Sequence, residues 1–207
     1  MSFSHDRYIL NLTGEANTGK STVINKYLRP IGFEPLSISG LLSTLAAERG
    51  ITLCGRDGYR AFHASICQEG PDAMIGPIMS HPARLLVLDG LRKHTYAKTL
   101  QASFGGNYNT CVLACPREVA YGRAVLAQKA KDVLSGLDAY SREQDAELAD
   151  GTMDFSRVLA MHDLTPYPID ASRESIVVGP EVVAAVVARL QQLGLAPDAT
   201  AVNANPH

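Results

Sequence analysis

The part of this sequence that most constrains its fold is a short glycine-containing segment near the start of the chain. Residues 14–21 read GEANTGKS and fit the pattern GxxxxGK[ST]. An apolar, β-prone run at residues 8–13 precedes the segment, and residues 20–28 follow it with the spacing of a helix. Backbone amides bind phosphate groups in glycine-rich turns between a strand and a helix. The segment therefore predicts a phosphate-binding loop.

The positions within this loop have separate chemical roles. Gly14 and Gly19 allow a tight turn, so that successive amide groups face the phosphates. Lys20 is expected to neutralise the β and γ oxygens of a nucleoside triphosphate, and Ser21 is expected to bind magnesium. The pattern thus indicates ATP and Mg²⁺ as cofactors. The residues predicted to contact the nucleotide here are Gly14, Glu15, Ala16, Asn17, Thr18, Gly19, Lys20, Ser21 and Thr22.

Beyond the loop, apolar runs alternate with segments of helical spacing, which is typical of an α/β sheet of parallel strands. A final helix is expected within residues 175–193, and Gly179-Pro180 is expected to move its start to Glu181. The other predicted strands are 33–38, 84–89, 110–115 and 167–170, and the other predicted helices are 41–49, 59–69, 71–79, 94–102, 117–134, 141–149 and 155–161.

This alternation and the loop together predict an α/β protein with a three-layer P-loop NTPase fold. We expect a five-stranded, mainly parallel sheet with helices on both faces and a short helical lid at about residues 116–150. The chain has 207 residues, of which 46% are hydrophobic, so it can bury a full core as one domain. We assign residues 1–195 to that domain and expect residues 196–207 to be a disordered tail.

Composition also limits the partners and the compartment. A net charge of -2 gives no global basic field that would attract nucleic acid or a membrane surface. No window approaches the ~20 apolar residues of a membrane span, and the N-terminus lacks a signal-peptide pattern. The four cysteines have neither CxxC nor zinc spacing. We therefore expect a soluble cytoplasmic protein with reduced thiols and no membrane association; its oligomeric state stays open.

A second chemical feature lies in residues 85–92, which read LLVLDGLR. The apolar strand delivers Asp89 to the sheet edge that carries the phosphate-binding loop, where it can hold the magnesium or accept a proton from an acceptor hydroxyl. Arg92, three residues on, can bind a phosphate through two nitrogens. The alternative is a turn acid after a core strand and a surface arginine.

These motifs give the chain a resemblance to a known group of proteins. GEANTGKST, RDGYRAF, GPDAM, VLDGLR, CPREVAYGRA and IDAS occur in the group's order, within a match over about residues 9–190. The chain resembles the nucleoside monophosphate kinase-like branch of P-loop proteins, which includes adenylate, thymidylate and deoxynucleotide kinases and dephospho-CoA kinase.

The resemblance implies further site residues. In such kinases the DGxR stretch contacts the acceptor, an arginine-bearing helical lid covers the triphosphate, and the loop after the last strand touches the adenine. This implies acceptor contacts for Arg56, Arg60 and Arg92, lid contacts for Arg117 and Arg123, and base contacts for Ala171 and Ser172. Asp57 is also a candidate for acceptor binding. The candidate catalytic residues are then Lys20, Asp89, Arg92 and Arg123, and the candidate magnesium ligands are Ser21 and Asp89.

The expected function is a kinase that moves the γ-phosphate of ATP to a nucleotide-like acceptor, first of all a deoxynucleoside monophosphate. An alternative acceptor is a hydroxyl, either on a small cofactor or on a 5-hydroxymethyl pyrimidine in phage DNA, with Asp89, Asp57 or Asp72 as the base. DNA is thus a possible substrate, although the net negative charge disfavours polymer binding. A third hypothesis is a nucleotide-dependent switch that hydrolyses ATP without an acceptor.

Overall fold

The computed structural model describes residues 6–127, 136–149 and 154–195, and Arg56 by its backbone alone. The tail predicted at residues 196–207 lies outside the described residues, as do positions 128–134 of the helix predicted at 117–134.

Strands and helices alternate along the chain as expected. The first strand, β1 (Tyr8–Thr13), is buried at every position. After the phosphate-binding loop, α1 (Lys20–Val23) continues as a π-helical segment, Ile24–Leu28. The elements that follow are β2 (Glu34–Ser37), α2 (Ile38–Glu48), α3 (Gly55–Glu69), α4 (Asp72–Ser80), β3 (Leu85–Asp89), α5 (His94–Phe104), β4 (Tyr108–Ala114), α6 (Arg117–Leu126), α7 (Gly136–Ala149), α8 (Phe155–Leu159), β5 (Ile169–Asp170) and α9 (Ser175–Gln192).

The five strands form one sheet in the order β2-β3-β1-β4-β5, and every neighbouring pair is parallel. The prediction of a five-stranded parallel α/β fold is therefore confirmed. In the register, Leu12 pairs with Asp89 and Thr13 pairs with Val112. The phosphate-binding loop consequently leaves β1 at the edge where β3 and β4 also end, which is where ligands bind in such sheets.

Two apolar layers, one on each face of the sheet, hold the helices. Successive residues of a strand point to opposite faces, so Ile9 packs in one layer and Leu10 in the other. The first layer contains residues of α2, α3, α4, α5 and α8, and the second contains residues of α1 and α9. Because both faces are covered, the central strands are buried along most of their length and mostly apolar, with Asn11 and Thr13 of β1 and Asn109 and Thr110 of β4 as buried polar residues.

The last helix differs from the sequence-based expectation. α9 runs without interruption from Ser175 to Gln192, so the prediction of a start at Glu181 was wrong. Pro180 cannot donate to the carbonyl of Ile176, so the helix continues without that one hydrogen bond. Gly179 is required by packing: a Cβ built there would lie 2.3 Å from the ring of Tyr27.

The region predicted as a lid contributes α6 and α7, which pack against each other beside the phosphate-binding loop. The rings of Tyr121 and Tyr140 join them, with centroids 5.8 Å apart. Among the described residues, no helix combines the length and apolar character needed to cross a lipid bilayer.

Candidate active site

The phosphate-binding loop has the backbone conformation that its glycines predict. Gly14 has a φ of 148°, and a Cβ built there would lie 2.2 Å from the carbonyl oxygen of Leu113 in β4. Gly19 has a φ of 94° and comes directly before α1. Both positions therefore favour glycine, because side chains rarely adopt this conformation and Gly14 has no room for one. Asn17 also has a positive φ, 60°, which asparagine tolerates better than most residues.

Lys20 lies along the inside of this loop. Its Nζ donates hydrogen bonds to the carbonyl oxygens of Gly14, at 3.0 Å, and Glu15, at 2.8 Å. A further contact reaches Thr18 Oγ1 at 3.4 Å. The ammonium group is thus placed where the loop residues meet, so a phosphate bound by the loop amides would lie beside a positive charge.

Ser21 and Asp89 meet across the sheet edge. Ser21 Oγ donates a hydrogen bond to Asp89 Oδ2 at 3.2 Å. A hydroxyl and a carboxylate are oxygen ligands of the kind that Mg²⁺ prefers, and this ion is usually bound by one or two protein ligands together with phosphates and water. The two residues predicted as magnesium ligands therefore lie together and fit such an ion.

A cavity of about 550 Å³ begins at the end of the phosphate-binding loop. It lies between α2, α3, α5 and α7, and both Lys20 and Asp89 line it. Four aromatic side chains contribute to its wall. These are Tyr59, His63, Tyr96 and Phe155. A planar or ring-shaped molecule can pack against such a wall.

Charged residues line the lid side of the same cavity. Arg60 and Arg92 both pair with Glu147 of α7, Arg60 at 3.7 Å and Arg92 through a hydrogen bond. Arg92 also lies over the ring of Phe155, 4.9 Å from its centroid. The two arginines that the resemblance assigns to the acceptor are therefore neighbours, but both contact the same carboxylate.

The candidate acids Asp57 and Asp72 lie outside the cavity wall, and the side chain of Arg56, also predicted to contact the acceptor, lies outside the described part of the structure. The side chain of Asp57 is 99% exposed, does not line the cavity, and approaches Arg60 at 3.7 Å. In the first turn of α3 an acid is favourable without any further role. Asp72, the least favoured base, occupies the equivalent position in α4 and is exposed. Of the three candidate bases, the structure places Asp89 alone in the cavity wall.

The predicted lid arginines contact the nucleotide side of the site. Arg117 pairs with Glu15 of the loop at 3.3 Å and with Asp145 of α7 at 2.8 Å. Hydrogen bonds to Asp145 and Glu15 raise the pKa of Arg117. Arg123 donates to the carbonyl oxygens of Ser172 and Arg173, at 3.4 and 3.1 Å. Arg117 thus links the loop to the lid, and Arg123 links α6 to the loop after β5.

A second cavity, of about 450 Å³, lies on the far side of the phosphate-binding loop. It is lined by Gly19, Thr22, Arg123 and the buried Ala171, all predicted to contact the nucleotide, and also by Arg173. The side chain of Ser172 instead bonds Asp170 at 2.6 Å, and this contact lowers the pKa of that carboxyl. The loop after β5 is therefore placed where a nucleotide base can lie.

Several residues of the site carry no motif that sequence reasoning could use. Tyr140 and Gln144 of α7 bind the backbone of Ala16 in the phosphate-binding loop, and Glu147 binds the cavity arginines. His63 and Tyr96 line the cavity with their rings edge to face, 5.9 Å apart. His63 is buried and lines the cavity as well.

Solved structures of small kinases share this architecture. Shikimate kinase from Bacteroides thetaiotaomicron is similar with a TM-score of 0.53 and 15% identity, over 91% of this chain and 99% of that chain. Shikimate kinase from Acinetobacter baumannii, in complex with shikimate, is similar with a TM-score of 0.53 and 15% identity, over 88% of this chain and 94% of that chain. A gluconokinase from Sinorhizobium meliloti 1021 is similar with a TM-score of 0.50 and 15% identity, over 92% of this chain and 97% of that chain.

At this level of identity the likeness defines the fold, which is that of small P-loop kinases. No protein-family model matches the sequence, and the comparison with curated proteins gives no match either.

Proposed function

We propose that the protein is an ATP-dependent phosphotransferase that transfers the γ-phosphate to a small acceptor bound in the 550 Å³ cavity. The observation that carries the proposal is that Lys20 and Asp89 lie both at the phosphate-binding loop and in the wall of the cavity. Lys20 contacts the phosphate-binding loop, Asp89 contacts Ser21, and both side chains line the cavity. A molecule in the cavity would therefore lie next to the terminal phosphate of a nucleotide in the loop.

The residues of the chain have distinct tasks in such a transfer. The loop amides and Lys20 hold the phosphates and neutralise their charge. Ser21 and Asp89 would hold magnesium, which supplies further neutralisation of the phosphate oxygens when bound. Arg117 connects the loop to α7, because it pairs with Glu15 and Asp145. Arg123 connects α6 to the loop after β5 and lines the 450 Å³ cavity. In the proposed transfer these contacts would support the loop that holds the donor phosphate.

The first candidate acceptor is a deoxynucleoside monophosphate. Arg60 and Arg92 supply two guanidinium groups on one wall of the cavity, and such groups bind phosphate oxygens in pairs. The rings of Tyr59 and Tyr96 line the same cavity and can pack against a base. An anionic acceptor phosphate needs no catalytic base, so charge neutralisation by Lys20, magnesium and the arginines would be sufficient.

A hydroxyl acceptor, on a small cofactor or on a 5-hydroxymethyl pyrimidine in DNA, is the second candidate. It is favoured by the pairing of Glu147 with both Arg60 and Arg92, since this carboxylate already neutralises part of the positive charge. Asp89 lies in the cavity wall, where it can accept the proton of an acceptor hydroxyl.

Replacing Arg92 by alanine tests the role of the cavity. If the cavity binds the acceptor, R92A lowers ATP turnover in the presence of acceptor while the affinity for ATP is kept, because Arg92 contacts α7 and Phe155 and no residue of the phosphate-binding loop. Arg29→Ala, on an exposed residue after α1, is a matched control. Phosphate release at the same rate in R92A and wild type, with or without acceptor, would instead favour a nucleotide-dependent switch.

A further inference from the structure

Gln144 of the lid helix α7 contacts the phosphate-binding loop from within the protein. The residue is 1% exposed. Its Oε1 accepts a hydrogen bond from the backbone N–H of Ala16 at 3.1 Å. One helical turn earlier, Tyr140 donates its hydroxyl to the carbonyl oxygen of Ala16 at 2.8 Å. Both backbone groups of Ala16 are therefore bound by side chains on one face of α7.

The other end of the Gln144 carboxamide lacks a protein partner. Within the described part of the chain, Nε2 is buried and makes no hydrogen bond. The orientation of the group follows from chemistry, because the N–H of Ala16 can only donate and so must face the carboxamide oxygen. A buried donor without an acceptor is unfavourable, and such a group in a native structure calls for a ligand or a water.

The place of Ala16 in the loop indicates which ligand this is. Lys20 Nζ contacts the carbonyl oxygen of Glu15, the residue next to Ala16, at 2.8 Å. In phosphate-binding loops the lysine reaches the β- and γ-phosphates. Ala16, the residue that Gln144 binds, is therefore adjacent to a part of the loop that Lys20 contacts.

We propose that Gln144 Nε2 donates a hydrogen bond to an oxygen of the terminal phosphate of a bound nucleoside triphosphate. The proposal rests on the proposed function, since it requires the loop to bind such a nucleotide. It makes Gln144 a binding residue that distinguishes triphosphate from diphosphate. A diphosphate lacks the oxygen that Nε2 requires, so its affinity does not depend on this group.

The test compares AMP-PNP, a non-hydrolysable analogue of ATP, with ADP, each with magnesium, by titration calorimetry. Gln144→Glu keeps an oxygen for the Ala16 N–H and replaces the donor by an acceptor. Gln144→Met removes both polar ends in a side chain of similar shape, and it serves as a second variant if the glutamate perturbs folding. Gln68→Glu makes the same chemical change as the first variant at an exposed position of α3.

We expect Q144E to bind AMP-PNP about 10-fold to 100-fold more weakly, the range for a hydrogen bond to a charged group, and to bind ADP within about twofold of the wild type. Q144M also leaves the Ala16 N–H without its acceptor, so we expect it to weaken the binding of both nucleotides, but that of AMP-PNP more than that of ADP. Q68E should bind both as the wild type does. Equal losses for AMP-PNP and ADP would show that Gln144 acts only through the shape of the loop, and unchanged AMP-PNP binding would also overturn the proposal. A wild type that binds neither nucleotide would contradict the proposed function itself.

Discussion

Ser21 Oγ lies 3.2 Å from Asp89 Oδ2, although the two residues are 68 positions apart in the sequence. The parallel pairing of β1 with β3 produces this contact, because Leu12 is aligned with Asp89 and the loop begins two residues later. Ser21 in the first turn of α1 and Asp89 at the end of β3 thus form one corner of the site. Asp89 also lines the 550 Å³ cavity, so this corner connects the phosphate-binding loop with the cavity.

Replacing Asp89 by asparagine should lower turnover by about 100-fold or more, the scale of a lost acid–base or charge contribution. Asparagine keeps the size of the side chain and an oxygen for Ser21, but it removes the negative charge that would bind magnesium or accept a proton. Turnover measured across a range of magnesium concentrations checks this. Asp72→Asn, at an exposed position of α4, should behave as the wild type; full activity in D89N would contradict the assignment.

Replacing Glu147 tests whether the cavity favours a negatively charged acceptor. Replacement by glutamine removes the carboxylate that pairs with Arg60 and Arg92 and leaves both arginines in place. For a phosphorylated acceptor we expect KM to fall by about threefold to tenfold. A larger fall is not expected, because Arg60 is partly exposed and solvent screens its charge. For a hydroxyl acceptor KM should not fall.

Steady-state kinetics with both acceptor types measures the difference. Glu118→Gln, in the first turn of α6, is a control of the same chemical change at an exposed position outside the cavity wall. A higher KM for a phosphorylated acceptor in E147Q would mean that Glu147 helps to hold that acceptor, which is the opposite of the role inferred from its arginine contacts.

Gly179→Ala should destabilise the protein. A Cβ at this position would lie 2.3 Å from the ring of Tyr27, so the ring or the helix must shift, and such overpacking costs about 1–3 kcal/mol. Gly122→Ala is the matched control, because a Cβ there has no described atom within 4 Å, and alanine in a helix is favoured over glycine by about 0.5–1 kcal/mol. Urea unfolding measures the free energy of unfolding of both variants and the wild type. A G179A variant as stable as G122A would show that the contact with Tyr27 relaxes without cost.

The cysteines should differ in reactivity. Cys111 is fully buried in β4, and burial raises the pKa of its thiol to about 12, whereas Cys54 is exposed before α3. Because the thiolate is the reactive form, iodoacetamide at pH 8 should modify Cys54 in the folded protein and leave Cys111 unmodified. Peptide mass spectrometry reads out both sites, and denaturant should make Cys111 reactive. Rapid labelling of Cys111 without denaturant would contradict its place in the core.

The sequence was sufficient to predict the parts of the fold that local pattern determines. β1 is mostly apolar, β3 is a continuous apolar run up to Asp89, and the glycine spacing between β1 and α1 defines the loop, so these elements lie close to where they were predicted. The start of α9 was missed because the fit of Gly179 against Tyr27 depends on packing, which a local helix-breaking rule does not include.

The contacts of the lid were beyond sequence reasoning for a similar reason. Ala16 and Gln144 are 128 positions apart, and Arg92 and Glu147 are 55 apart. Each pair depends on how α7 lies against the sheet edge, and neither glutamine nor glutamate at these positions belongs to a recognisable motif. Sequence reasoning therefore anticipated the residues that the structure brings together at the phosphate-binding loop more completely than those that line the 550 Å³ cavity.

The measurement that tests the central claim most directly is transfer of labelled γ-phosphate from ATP with magnesium to a panel of acceptors. The panel contains deoxynucleoside monophosphates, dephospho-CoA, and DNA oligonucleotides with and without 5-hydroxymethyl pyrimidines, and Lys20→Ala serves as the blank. We predict a labelled acceptor with the wild-type protein and none with K20A. Label on a monophosphate would identify the first candidate acceptor, and label on a hydroxyl the second. Release of free phosphate alone, at a rate that no acceptor changes, would contradict phosphotransfer.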